Sequence, residues 1–201
     1  MMLKKTTLIF LTGMILGTAL AVPTGRRAPL FSGQGYNGKM VRLSDFRGKY
    51  VVLEWHNQGC PFVKKHYDSG NMQKLQAQWT KKGVAWLSII SSAPGKQGHV
   101  TPAEEKGYLA RMKAVPTTVI LDPNGTIGHL YGAKTSPHMF VIDPRGILIY
   151  NGAIDDRPST DSSDIPGAKN YVDAALTEAM AGKPVSVSNT PPYGCSIKYK
   201  D

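Results

Sequence analysis

Cysteine is scarce in this 201-residue chain, which has only Cys60 and Cys195. Two are too few to hold a small domain together as a disulfide scaffold, so attention moves to their chemistry. No Gly-rich phosphate loop, Ser-His-Asp order or zinc-ligand spacing is present, which leaves nucleotide, hydrolase and metal chemistry without support. No metal or other cofactor is expected. Acidic residues number 14 against 24 Lys and Arg, for a formal charge of +10. The basic residues are scattered, with a mild cluster at Arg26, Arg27, Lys39, Arg42, Arg47 and Lys49. No basic stripe alternates with aromatics, so nucleic acid is not an expected partner. A solvated basic face that attracts acidic partners or anionic headgroups accounts for the charge.

The N-terminus reads as a processing signal. Lys4 and Lys5 precede an apolar run from Leu8 to Leu20, and Ala19-Leu20-Ala21 is a small-x-small cleavage pattern. The run is short and interrupted by Gly and Thr, which argues against a membrane span. Residues 1–21 are therefore expected to be a signal peptide, and the mature chain to be exported, periplasmic or secreted, without a stable span. Cleavage removes two lysines and no acid, leaving +8 on residues 22–201. That length suits one domain with a real core. We expect the domain to cover 22–185 and a tail, 186–201, to carry Cys195.

The most informative segment is Tyr50-Val-Val-Leu-Glu-Trp-His-Asn-Gln-Gly-Cys60-Pro61-Phe-Val-Lys-Lys. A β-rich stretch ends in a polar turn, and Pro61 suits the first position of a helix. Cys60 is then the N-cap, with its sulfur beside the free amides of Phe62 and Val63, where the helix dipole favours a thiolate. Lys64 and Lys65 add positive potential. A buried, inert cysteine at a strand–helix corner is the competing reading.

Further along, Asn37-Gly38 marks a hairpin ahead of Met40–Leu43. Helices are expected over Pro61–Tyr67, Asn71–Lys82 and Asn170–Ala181, and a third begins at the Thr101-Pro102-x-Glu104 capping box. Strands are expected over Val84–Ser91, Thr117–Leu121 and Met139–Ile142, the last turning at Asp143-Pro-Arg-Gly146 into Ile147–Ala153. Asp155-Asp156 opens what reads as a solvated loop. The order predicts an α/β domain with a central mixed sheet flanked by helices, an N-terminal hairpin extension and a C-terminal tail. Cys60 lies beyond the carboxyl end of a strand, where such sheets gather reactive groups.

Cys60-Pro61 at a helix start, Thr135-Ser136-Pro137 before a strand and the Asp143–Gly146 hairpin follow one another in an order that resembles the thioredoxin-like superfamily. More narrowly, the chain resembles exported redoxins of the alkyl-hydroperoxide-reductase/thiol-specific-antioxidant, peroxiredoxin-like family. The Gly-Lys-Met-Val-Arg-Leu-Ser-Asp-Phe-Arg-Gly-Lys lead-in (38–49) and the stretch from Asp122 to Asp143 are also similar, so the likeness covers about residues 30–182. It implies a thioredoxin-like fold, a cis Ser136–Pro137 peptide facing Cys60, and a Ser136 backbone able to pair with an extended partner chain.

Two departures qualify it. Val63 replaces the second cysteine of Cys-x-x-Cys, so Cys60 closes no local disulfide. Asn57 stands where peroxiredoxins place a Thr, and Pro137 where they place an Arg.

The resemblance implies an oxidoreductase with Cys60 as nucleophile, Pro137 shaping the site, and protein thiols or disulfides, or a small peroxide, as partners alongside an external thiol reductant. Cys195 is the candidate resolving thiol. Otherwise it forms a permanent staple with Cys60, contributing about 5 kcal/mol through a loop of roughly 136 residues, or stands as an independent thiol. A non-enzymatic binding module on the same fold is the reading that goes with the staple. Asn57, Pro61, Ser136 and Trp55 are the candidate substrate-contacting residues, with His56 and His138 nearby.

Overall fold

The computed structural model describes residues 22–200; the expected signal peptide lies outside them. Strand β3 (Val51–Trp55) is apolar except for Glu54 and is buried along its whole length, as a central strand covered on both faces must be. It pairs in parallel with β4 (Ala85–Ile90), which pairs in parallel with β5 (Thr118–Leu121). On its other side β3 pairs antiparallel with β7 (His138–Ile142), which turns through Asp143–Gly146 into β8 (Leu148–Gly152). The Asn37-Gly38 hairpin joins β1 (Ser32–Gly35) to β2 (Met40–Arg42) and extends the far edge through β5. The seven-stranded order is β2-β1-β5-β4-β3-β7-β8, a mixed sheet of the thioredoxin-like kind.

Side chains alternate across β3, so one strand feeds two cores. Val51, Leu53 and Trp55 face a layer with Leu87, Ile120, Tyr131 and Phe140. This layer includes α4 (Thr126–Tyr131). Val52 faces the opposite layer with Cys60, Trp86, Met139 and Val141, closed by α1 (Pro61–Asp68), α2 (Asn71–Lys81) and α5 (Tyr171–Met180). Helix α3 (Pro102–Met112) contributes Tyr108 to that layer. The expected helices and strands are present, with ends that shift by a residue or two.

The capping box on α3 is formed as its spacing predicts: the Glu104 amide donates to Thr101 Oγ1 at 3.3 Å, and the Thr101 amide to Glu104 Oε2 at 2.7 Å. Thr101→Ala should lower unfolding free energy by about 1 kcal/mol, measured by urea denaturation. No change would mean that α3 contributes nothing to cooperative stability.

Candidate active site

The turn Asn57–Cys60 delivers the cysteine. The Asn57 side-chain oxygen accepts from the Gly59 amide at 2.9 Å, and the Cys60 amide donates to the Asn57 carbonyl at 3.0 Å, so an Asx turn leads into α1. The Asn57 amide nitrogen donates to the Gln97 carbonyl at 3.3 Å. Both ends of this side chain are engaged with the protein's own backbone. Pro61 occupies the first helical position and is exposed.

Cys60 is the N-cap residue by position, but its sulfur receives no hydrogen bond from the helix start. This corrects the expected arrangement. The thiol instead donates to the Ser136 carbonyl at 3.1 Å and points at the Cys195 sulfur, 2.6 Å away. Both cysteines are free. The reason is local: the side chain sits in the apolar layer beneath α1 and finds its polar neighbours across the gap. Lys65 does not aim its charge at the sulfur either. It is buried, and its ammonium donates to the Arg157 carbonyl at 2.8 Å.

The Ser136–Pro137 peptide is cis, and both residues are buried beside the cysteine. Strand β6 (Thr135–Ser136) pairs antiparallel with β9 (Cys195–Ser196), setting Ser136 opposite Cys195. The tail therefore occupies the edge that the resemblance assigns to a partner chain. It is docked along its length. The Ser188 carbonyl accepts from the Asn151 amide, and Thr190 Oγ1 accepts from the Ala153 amide at 2.9 Å. The Tyr193 hydroxyl donates to Asp155 at 2.5 Å and lies 3.4 Å from His66 Nε2. Beyond Cys195, Ile197 bonds the Lys134 carbonyl, and the Tyr199 ring stacks on His129 at 4.0 Å. Under this strap Cys60 has no exposed surface, while Cys195 is partly exposed.

Asp155 is not a solvated loop start: it is 2% exposed and holds Tyr193. Trp55 is fully buried on the opposite face of the sheet from Cys60, packed on Tyr131 and Phe140, with its indole N–H donating to Ser91 at 3.1 Å. The alternation along β3 puts it there, away from any partner. His138 bonds Asn151 at 2.8 Å and the Lys134 amide, and burial pushes its pKa down to about 4. His66 is held near 4 as well, chiefly by burial, which the Asp155 charge partly offsets. The Cys195 thiol is pushed up to about 11, first by burial and then by its contact with the Cys60 sulfur. It stays protonated at neutral pH while docked.

Sequence reasoning missed Glu54. The carboxylate is wholly buried in the Cys60 layer, where it accepts from Trp86 at 2.7 Å, Tyr67 at 2.8 Å and Ser88 at 2.9 Å. Those bonds, together with His56 at 3.7 Å, hold its pKa below the usual carboxylate value, against a desolvation effect that is the largest single influence and acts the other way. A lone acid inside Val-Val-Leu-Glu-Trp was the available signal. His56 lies between the rings of Tyr67 and Tyr108, and neither of its ring nitrogens has a hydrogen-bond partner.

Among known proteins, the thiol-disulfide oxidoreductase ResA of Bacillus thuringiensis subsp. konkukian is 27% identical over 125 residues. That match takes in 62% of this chain and 66% of the relative, just under two thirds of its length. A Coxiella burnetii protein bearing the name of the peroxiredoxin bcp is 24% identical over 129 residues, covering 64% of this chain and 78% of its own. A solved structure of an uncharacterized conserved protein from Geobacillus kaustophilus superposes with a TM-score of 0.74 at 27% identity, over 89% of this chain and 93% of that one. The AhpC/TSA family pattern matches residues 24–151, which contain Cys60 and the cis Ser136–Pro137 peptide, and the chain belongs to that family.

Proposed function

We propose that this protein is an exported thiol–disulfide oxidoreductase in which Cys60 is the nucleophile and Cys195 the resolving thiol. The observation that carries it is the meeting of the two sulfurs, 2.6 Å apart beside the Ser136 carbonyl, from positions 135 residues apart in sequence. In the reducing direction, the tail lifts and the Cys60 thiolate attacks a partner's disulfide. A Cys60–partner disulfide forms and the partner's other sulfur leaves as a thiolate. Cys195 returns, loses its proton and attacks the Cys60 sulfur. The Cys60–Cys195 bond forms, the partner leaves with both sulfurs reduced, and an external thiol reductant regenerates the dithiol. The same steps run backwards oxidise a partner dithiol. Docking holds the resolving sulfur at a high effective concentration, which favours ring closure over a lingering mixed disulfide.

The peroxidase alternative uses the same Cys60, but the Asn57 amide is tied into the turn and Pro137 offers no donor. The binding-module alternative needs a permanent Cys60–Cys195 bond. One experiment separates the three. Reduced Cys195→Ser protein, offered oxidised protein substrates, should accumulate mixed disulfides that Cys60→Ser abolishes, with no peroxide consumption. Peroxide turnover lost in Cys60→Ser would replace this reading with the peroxidase. A Cys60 that exchanges with nothing, in a wild type whose disulfide resists mild reductant, would leave the binding module.

A further inference from the structure

The tail also shows what the site accepts. We infer that residues 193–196 occupy the partner's own place, and that the site selects an extended strand in which glycine immediately precedes the reactive cysteine and an aromatic residue precedes the glycine. This rests on the thiol–disulfide reading above and adds its substrate class.

Cys60 is fully buried, and Ser136, which its thiol meets, is 2% exposed. Cys195 is the partly exposed group touching the Cys60 sulfur, so the way in from solvent runs through its place. A partner's sulfur that reacts with Cys60 must come to that position, and its backbone then lies along Thr135–Ser136 as β9 does.

That backbone path has a strict requirement one residue earlier. Gly194 has φ +134°, a conformation L side chains rarely adopt. A Cβ there would also meet the Ser136 carbonyl, standing 2.8 Å from its carbon and closer still to its oxygen. The obstacle is backbone, which cannot swing aside as a flexible side chain would. One residue further back, Tyr193 fills a socket made by Phe62 of α1 (ring centroids 5.9 Å apart), His66 and Asp155, and its hydroxyl donates to the Asp155 carboxylate. The socket is apolar on one side and ends in a buried acceptor that the Arg157 amide also reaches at 2.9 Å, so a phenol fits it better than a phenyl ring, which would take one hydrogen bond away from the Asp155 carboxylate. Specificity thus comes from three fixed features: a carbonyl that admits no Cβ, a β edge and a phenol socket.

The test uses full-length, reduced Cys195→Ser protein and synthetic peptides Pro-Pro-Tyr-Gly-Cys-Ser-Ile, with the peptide cysteine as its mixed disulfide with nitrothiobenzoate. Cys60 attacks the peptide sulfur, the Cys60–peptide disulfide forms and the coloured thiolate is released and counted. Replacing the peptide's glycine by alanine should slow release about tenfold or more, the scale of forcing a non-glycine residue to positive φ. Replacing its tyrosine by alanine should slow it several-fold, and phenylalanine should fall between. Equal rates for the glycine and alanine peptides would overturn the inference and leave Cys60 exchange intact. Failure of Cys60 to react with any peptide, or with Ellman's reagent in urea-loosened protein, would overturn the underlying reading too.

Discussion

Alkylation of Cys60 should accelerate about 100-fold when Tyr193 and Tyr199 are both replaced by Ala in a Cys195→Ser chain. The native sulfur has no exposed surface, so iodoacetamide reaches it only through opening of the strap. Tyr193 pins the near side of β9 through Asp155 and Phe62. Tyr199 pins the far side by stacking on His129 and donating to the Ala133 carbonyl at 2.8 Å. Losing about 1.4 kcal/mol of docking at each end raises the open population tenfold per site. Rates by mass spectrometry under native conditions, with circular dichroism to confirm the fold, measure this. An unchanged rate in a folded double variant would show that something other than the strap seals Cys60. The first chemical step would then need no tail departure.

The second large effect is acid lability. His138 titrates near 6.5 in the unfolded chain but near 4 in the fold, because burial disfavours its charged form. Between those values the unfolded state binds more protons, so its stabilising contribution is complete above pH 6.5 and is lost as pH falls toward 4. From pH 7.5 to 4.5 this amounts to roughly 2 to 3 kcal/mol for His138 alone. His66 acts with the same sign, since burial also lowers it to about 4. Glu54, lowered by its hydrogen bonds, adds to the loss at lower pH. Glu105 opposes them, because burial raises its carboxyl; its contribution is present in acid and lost as pH rises. Urea unfolding at the two pH values should show the net drop, and His138→Gln should show a smaller one. A pH-independent unfolding free energy would mean that neither histidine is held neutral by the fold. Tyr193 docks between Asp155 and His66, so protonation of His66 should loosen the strap before global unfolding.

Much of the architecture was legible because it is written in local chemistry. Cys60-Pro61 after an apolar run, the Asn37-Gly38 and Asp143–Gly146 turns, and Thr101 with Glu104 each act over a few residues, and all appear where their spacing puts them. The direction of side chains was less legible. Trp55 and Glu54 are neighbours in sequence, yet pleating sends the tryptophan to one core and the acid to the other. The strap was the least legible part. Residues 186–201 were expected only as a tail carrying Cys195, and the surfaces of Asp155, Asn151 and Ser136 turn that segment into a docked strand.

By itself the sequence determined that a cysteine stands at the start of a helix beyond a parallel strand, with a proline-bearing edge later in the same domain. Those outcomes depend on backbone preferences and hydrophobic period, which short stretches carry on their own. Which way the Cys60 sulfur turns, what hides it and which thiol it meets were decided by tertiary structure alone. They depend on contacts between segments as far apart as residues 60 and 195, and no local preference encodes such a meeting.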